Sequence, residues 1–170
     1  KAGFQQSYTY YTWRNTKWEL ESYLKELAYE SSTFFRPNLW VTTPDILTEY
    51  LQFGGPAAHK IRAAIAAMAS PSWGMYAGYE LCESVARPGA EEHIDSEKYE
   101  YRPRDWNAAE ASGRSIAPYI SKLNQIRNAH PAVRQRSRSL LGRAPRQQLW
   151  AQVSRECGLH RTAELVRRIR

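Results

Sequence analysis

The sequence lacks several patterns that would assign it to a common functional class. Its two cysteines, Cys82 and Cys157, are too few for a disulfide framework and show no metal-ligand spacing, so we expect a reducing cytoplasm. The Gly-rich dinucleotide fingerprint, the P-loop and the Gly-x-Ser-x-Gly elbow are absent. No histidine has the spacing of a metal site or a catalytic triad, and we interpret all four as structural or surface residues: His59, His93, His130 and His160. We therefore predict no metal and no other cofactor.

Membrane and secretion signals are also missing. No apolar run approaches the roughly 20 residues that cross a bilayer. The chain starts with Lys-Ala-Gly rather than Met, and no signal-peptide pattern follows. Its 170 residues give room for one domain with a real core. We expect a globular chain with no membrane partner.

The formal net charge of +7 is unevenly distributed. Residues 134–170 hold ten Arg, no Lys and two acids, a net charge of +8. Residues 1–133 hold fourteen basic and fifteen acidic residues, a net charge of −1. Because the body offers phosphates no overall positive field, we do not expect a nucleic-acid partner.

Strand and helix patterns alternate along the body. The capping-box pattern Thr16-Lys17-Trp18-Glu19 predicts a first helix, whose apolar face follows it. Gly54-Gly55-Pro56 predicts the start of a second, and a third is expected to end at His130-Pro131. A long polar stretch covers residues 80–107. Residues rich in β-favouring side chains predict three strands, at 4–13, 39–42 and 73–79.

This alternation predicts an α/β fold with a parallel sheet and crossover helices. Each unit takes about 35–45 residues, so three units make less than half of an eight-unit barrel. An edge of a doubly wound sheet is the alternative, but the phosphate fingerprint of that fold is missing. We therefore favour a fragment of a (β/α)8 TIM barrel.

Asp45 is the leading candidate for a site residue. It follows the second predicted strand after Thr-Thr-Pro, and the carboxyl ends of parallel strands are where ligands bind. The alternative is that Asp45 caps the next helix. The segment by itself favours the cap, and the rest of the chain has to decide.

Three further groups of residues leave two interpretations open. The segment 95–106 combines Lys, Arg, Tyr and Trp, which suit a sugar phosphate but also a solvated loop. Glu80 is either a site acid or a surface cap. Aromatic residues near the end of the first strand suit a sugar cleft or the core: Tyr8, Tyr10, Tyr11 and Trp13.

Four motifs, in order over residues 1–133, closely resemble one family. The family is the bacterial α-1,4-glucan:maltose-1-phosphate maltosyltransferase, within the α-amylase family of glycoside hydrolases (family 13). The motifs are FQQSYTYYTWR at 4–14, RPNLWVTTPD at 36–45, SPSWGMYAGYE at 70–80 and DSEKYE at 95–100.

The resemblance implies a (β/α)8 barrel whose strands six, seven and eight lie in this chain. It implies transfer of maltosyl units from α-maltose 1-phosphate to the non-reducing end of an α-1,4-glucan, with retention through a covalent intermediate. Asp45 then corresponds to the carboxylate that stabilises the transition state, and Lys98 and Tyr99 to the pair that binds maltose 1-phosphate. The resemblance further implies that the parent enzyme is a cytoplasmic homodimer.

The departures from the family lead to further expectations. The family's nucleophile and acid/base precede the position of Lys1, so we expect this chain to be inactive alone. Residues 134–170 stand where a β-sandwich domain is expected, and we interpret them as a frameshifted segment or as a short helical tail. Translation of the other two reading frames tests this. The alternatives are a non-catalytic sugar-binding remnant, another α-amylase-family glycosidase or transglycosidase, and a nucleic-acid binder acting through the tail.

Overall fold

The computed structural model describes residues 7–95 and 101–134. These residues form an α/β fold with a small parallel sheet, as the alternation of patterns predicts. Residues from 135 onward lie outside the described part, so the domain division at residue 133 remains a prediction. Within the described ranges, no helix is both long and apolar enough to cross a membrane.

Three short parallel strands form the sheet in the order β1-β2-β3. Tyr8 pairs with Asn38, and Leu39 pairs with Trp73. Sequential order with parallel pairing requires a crossover between each pair, and the helices supply it. The strands are β1 (Ser7–Tyr8), β2 (Pro37–Trp40) and β3 (Ser72–Gly74).

Helices connect the strands and follow the last one. The first is capped as predicted: the Thr16 hydroxyl accepts from the Glu19 amide, and the Glu19 carboxylate accepts from the Thr16 amide at 2.9 Å. A wider π-type turn (Glu26–Glu30) extends this helix. The helices are α1 (Lys17–Lys25), α2 (Glu49–Ala69), α3 (Trp106–Ala111), α4 (Ala117–Ala129) and the short α5 (Pro131–Arg134).

The first strand is much shorter than predicted. Residues Tyr10–Trp13 form a 3-10 turn instead, with the Thr9 hydroxyl accepting from the Tyr11 amide. Tyr11 is fully buried, its hydroxyl donates to the Arg62 carbonyl at 2.9 Å, and the Arg62 guanidinium donates to the Tyr11 carbonyl. This contact with a distant helix outweighs the local strand preference of the segment.

The third strand and the second helix also differ from prediction. β3 ends at Gly74, and the last residue of the predicted strand, Tyr79, instead starts a 3-10 helix over Tyr79–Leu81. Helix α2 begins at Glu49, before the Gly-Gly-Pro signal. Gly55 interrupts it with a φ of 60°, a conformation that glycine adopts readily. The Gly-Gly-Pro signal therefore marks the start of the longer, second piece of α2.

The core lies between the sheet and helices α1, α2 and α4. Leu20 and Leu24 of α1 are buried, and so are Ile120, Leu123 and Ile126 of α4, with Leu123 fully buried. Where α2 ends, the Arg127 guanidinium from α4 donates to the carbonyls of Ala67, Ser70 (2.9 Å) and Pro71 (2.9 Å). The Ser70 hydroxyl donates to the Pro37 carbonyl at 2.8 Å, which connects this corner to β2.

Arg127→Met should lower the free energy of unfolding by about 3 kcal/mol, because buried carbonyls lose their charged donor. Urea unfolding followed by circular dichroism measures the change. Gln125→Met, at an exposed position of the same helix, is the control and should change stability by less than about 0.5 kcal/mol. Equal effects of the two substitutions would contradict the role assigned to Arg127.

Candidate active site

Asp45 lies in a tight turn beyond the carboxyl end of β2. The turn is closed by two hydrogen bonds, from the Thr43 amide to the Ile46 carbonyl (3.2 Å) and from the Ile46 amide to the Thr43 carbonyl (3.1 Å). Pro44 and Asp45 occupy its central positions, and the Asp45 side chain is exposed. This turn presents a carboxylate at the edge of the sheet where parallel α/β proteins bind ligands.

The alternative role of Asp45 as a helix cap is wrong. Helix α2 begins four residues later, at Glu49, and its N-cap residue is Thr48. A capping side chain accepts a hydrogen bond from an amide two or three residues ahead of it, inside the helix. From Asp45 those amides are in Leu47 and Thr48, which precede the helix.

Aromatic side chains at this end of the sheet divide into two groups. Tyr11 is in the core, whereas Tyr8 and Tyr10 are 67% and 71% exposed. The Tyr8 ring stacks on Trp40 with centroids 5.4 Å apart, and the Trp40 ring lies across Gly74. A Cβ atom at position 74 would lie 2.8 Å from that ring, so glycine permits the close approach suggested by the sequence.

Glu80 acts as a local cap in the structure. Its carboxylate accepts from the Gly78 amide at 3.2 Å, within the turn that starts the 3-10 helix. Its main-chain carbonyl accepts from the Ile116 amide at 2.7 Å. These contacts connect the end of the sheet to the start of α4 and favour the capping interpretation of Glu80 over the site acid.

The polar segment 95–106 is only partly described. Lys98 and Tyr99, the predicted substrate-binding pair, lie outside the described residues. On the far side of that gap, Arg104 forms a two-pronged ion pair with Glu83, at 2.8 and 3.1 Å. Arg102 approaches the same carboxylate at 3.8 Å and donates to the Ile94 carbonyl at 3.1 Å. The two ends of the gap are therefore held near each other.

Sequence reasoning missed the role of Glu83. Its partner is 21 residues away, and neither residue belongs to a local pattern. The Arg104 side chain is 5% exposed and that of Glu83 is 15% exposed, so the pair is largely removed from water. A cluster of arginines in a polar stretch was the only available signal, and it did not identify the partner.

Glu83→Gln should lower the free energy of unfolding by about 3 kcal/mol, because it removes the charge of the carboxylate that pairs with the buried Arg104 guanidinium. Glu92→Gln is the matched control. It breaks the exposed pair with Arg87 (2.8 Å), which is expected to contribute less than about 1 kcal/mol. Urea unfolding measures the free energy of unfolding of both variants. Similar losses of stability in the two would contradict the larger contribution assigned to the buried Glu83 pair.

His93 is buried beneath this cluster. It is 3% exposed, and its ring meets that of Tyr76 edge-on with centroids 5.2 Å apart. Burial lowers the pKa of His93 to about 4; Glu83 opposes this shift, and the Arg102 and Arg104 charges add to it. His93 is thus a neutral core residue, in agreement with the structural role expected for the histidines.

The His93 shift predicts how stability depends on pH. The unfolded chain takes up a proton near pH 6.5 and the folded chain only near pH 4, so stability is complete above about 6.5 and falls as the pH decreases. The loss by pH 4 should reach about 3 kcal/mol. Urea unfolding between pH 7 and 4 measures it. His93→Gln should flatten the slope, and an unchanged slope in this variant would contradict the assignment.

The ranges 7–95 and 101–134 contain no group of three or more His, Cys, Asp or Glu side chains that could hold a metal ion.

An open pocket of about 540 Å³ lies beside the ion pair of Glu83 with Arg104. It is lined by Pro103, Arg104, Asp105, Trp106 and Asn107. The arrangement offers an exposed carboxylate, exposed aromatic faces and one buried arginine, Arg104, at one end of the sheet.

These features define an α/β chain with a small parallel sheet and a carboxylate at its carboxyl edge. No family model matches the chain. It is 56% identical over 134 residues to the Streptomyces coelicolor protein named alpha-1,4-glucan:maltose-1-phosphate maltosyltransferase 2, and 57% identical over 136 residues to maltosyltransferase 1 of that organism. It is also 56% identical over 136 residues to the maltosyltransferase of Mycolicibacterium smegmatis.

The matches cover 78–79% of this chain and 19–20% of each relative. The resemblance to the α-1,4-glucan:maltose-1-phosphate maltosyltransferase family is thereby confirmed over most of the chain. The chain spans about one fifth of the length of the curated relatives that it matches.

Proposed function

We propose that this chain forms part of the catalytic barrel of an enzyme that transfers maltosyl units from α-maltose 1-phosphate to the non-reducing end of an α-1,4-glucan. The observation that carries the proposal is the position of Asp45. It is exposed on a closed turn beyond a parallel strand, within a chain 56–57% identical to proteins named for this reaction.

The sheet supports the barrel part of the proposal. Its strands are parallel and follow chain order, as neighbouring strands of a (β/α)8 barrel do. Leu39 and Val41 are buried in the core shared with the helices, while Trp40, between them, stacks on Tyr8. We assign β1, β2 and β3 to barrel strands six, seven and eight.

Asp45 acts in this proposal as the transition-state stabiliser. In a retaining transfer, the sugar develops positive charge as the bond to phosphate breaks, and a carboxylate nearby offsets that charge. The nucleophile and the acid/base of the reaction are carboxyl groups from parts of the enzyme outside these 170 residues. Asp45 therefore acts together with two partners and has no catalytic role alone.

Lys98 and Tyr99 bind the donor substrate in the same proposal. A lysine near the departing phosphate offsets the charge that grows on its oxygens, and a tyrosine offers both a hydroxyl and an aromatic face. The ion pair of Glu83 with Arg104 and the hydrogen bond from Arg102 to the Ile94 carbonyl hold the residues on either side of Lys98 and Tyr99.

We further propose that the enzyme is a cytoplasmic homodimer.

A segment exchange tests the function. The matched residues of this chain replace their counterparts in the M. smegmatis relative, and phosphate release from α-maltose 1-phosphate is measured with glycogen as acceptor. The exchanged enzyme should be active, and Asp45→Asn should lower its kcat by about 100- to 1,000-fold, as for removal of other electrostatic stabilisers. Asn keeps the size of the side chain and removes the charge.

Glu110→Gln is the control, because Glu110 is an exposed residue of α3 and is not part of the proposed site. It should keep activity within twofold of the exchanged enzyme. The 170-residue chain alone should release no phosphate above the blank. An inactive but folded exchange enzyme, or an active Asp45→Asn variant, would contradict the proposal.

A further inference from the structure

Both ends of the Asp45 turn are attached to a later part of the chain. Before the turn, the Thr42 hydroxyl accepts from the Tyr76 amide at 3.4 Å. After it, the Leu47 amide donates to the Glu91 main-chain carbonyl at 2.6 Å. Thr42 and Leu47 are buried, so these attachments lie beneath the exposed turn.

Glu91 makes a second contact, through its side chain. Its Oε1 accepts from the Glu49 amide at 2.9 Å. Glu91 thus binds the residues on both sides of Thr48, once with its carbonyl and once with its carboxylate. Gln52 adds to the same arrangement, because its side-chain amide donates to the Leu47 carbonyl at 2.7 Å.

The carboxylate of Glu91 takes over the task of a missing local cap. The first amides of a helix have no partner inside the helix, and the N-cap side chain normally accepts from one of them. The side chain of Thr48 makes no such bond. A carboxylate 42 residues away accepts from the first amide instead, where the helix dipole also favours negative charge.

Glu91 is itself held in place by a hairpin formed by residues 85–94. The Ile94 amide donates to the Val85 carbonyl (3.1 Å), and the Arg87 amide donates to the Glu92 carbonyl (2.9 Å). The hairpin packs on the core through His93, whose ring contacts Tyr76. Since the Tyr76 amide binds Thr42, the hairpin and the two ends of the turn form one closed arrangement.

We propose that Glu91 is a positioning residue that sets the location of the Asp45 carboxylate through the turn–helix junction. This inference rests on the proposed function. Glu91 acts through the hydrogen bond that its carboxylate accepts from the Glu49 amide, because this bond fixes where the turn ends and the helix begins. A carboxylate that stabilises a transition state must be held within about 0.5 Å of its productive position.

The test uses the exchanged enzyme described above. Glu91→Ala removes the acceptor and should lower kcat at least tenfold, with KM for maltose 1-phosphate changed less than threefold. Glu91→Gln keeps an oxygen acceptor and should restore kcat to within threefold. Glu92→Ala, the adjacent carboxylate that pairs with Arg87 and not with the helix, should match the exchanged enzyme.

Amide hydrogen exchange gives a second measurement that does not depend on activity. In the 170-residue chain, the Glu49 amide should exchange at least tenfold faster in Glu91→Ala than in the parent chain, and at the parent rate in Glu92→Ala. If Glu91→Ala lowers the expression of folded exchange enzyme, Glu91→Asp is measured in its place. Asp keeps the carboxylate on a shorter side chain, so kcat should fall, but by less than in Glu91→Ala.

The outcomes separate the two proposals. An inactive exchange enzyme overturns the proposed function before any Glu91 variant is measured. An active exchange enzyme whose Glu91→Ala variant keeps kcat within twofold overturns the inference alone. The inference is also overturned if Glu91→Ala raises KM without lowering kcat, or if kcat falls as far in Glu91→Gln as in Glu91→Ala. Neither result fits a hydrogen bond that positions Asp45.

Discussion

The corner where α2 turns into β3 depends on one buried guanidinium. Arg127 binds main-chain carbonyls in the last turn of α2 and in the two residues that lead into β3, and the Ser70 hydroxyl connects the same corner to the first residue of β2. The planar fork of arginine suits this task, because it reaches several acceptors at fixed angles. With the amino ends of two strands fixed in this way, their carboxyl ends, and the turn that carries Asp45, emerge at defined places.

A second buried arginine fixes the other side of the sheet by the same chemistry. Arg62, on α2, donates to the carbonyls of Tyr11 and Arg14, and its guanidinium lies over the Tyr11 ring at 4.0 Å. Helix α2 is therefore bonded to the segment after β1 through its own Arg62, and to α4 through Arg127 at its carboxyl end. Its small residues, Ala63 and Ala67 among them, are completely buried, which allows the close approach that these bonds need.

The sequence predicted best what is encoded locally. The capping box of Thr16 and Glu19 was predictable because its partners are three residues apart, and the parallel sheet followed from the alternation of patterns. The 3-10 turn at Tyr10–Trp13 could not be predicted in this way, because it depends on Arg62, which is 51 residues from Tyr11. The position of Asp45 could be predicted from its motif, but its attachments come from residues more than 30 positions later, which no short pattern reveals.

The hairpin at 85–94 has a consequence for how such chains can recombine. The turn at 43–46 and Glu91, which caps the helix after it, are far apart in the sequence, but they belong to one hydrogen-bonded arrangement in the structure. A crossover within α2 would join a turn from one parent to a hairpin from another, and the offspring would inherit mismatched halves. Crossovers before β2 or beyond the hairpin keep the pair together. The heritable module of this chain is thus larger than a single strand-and-helix repeat.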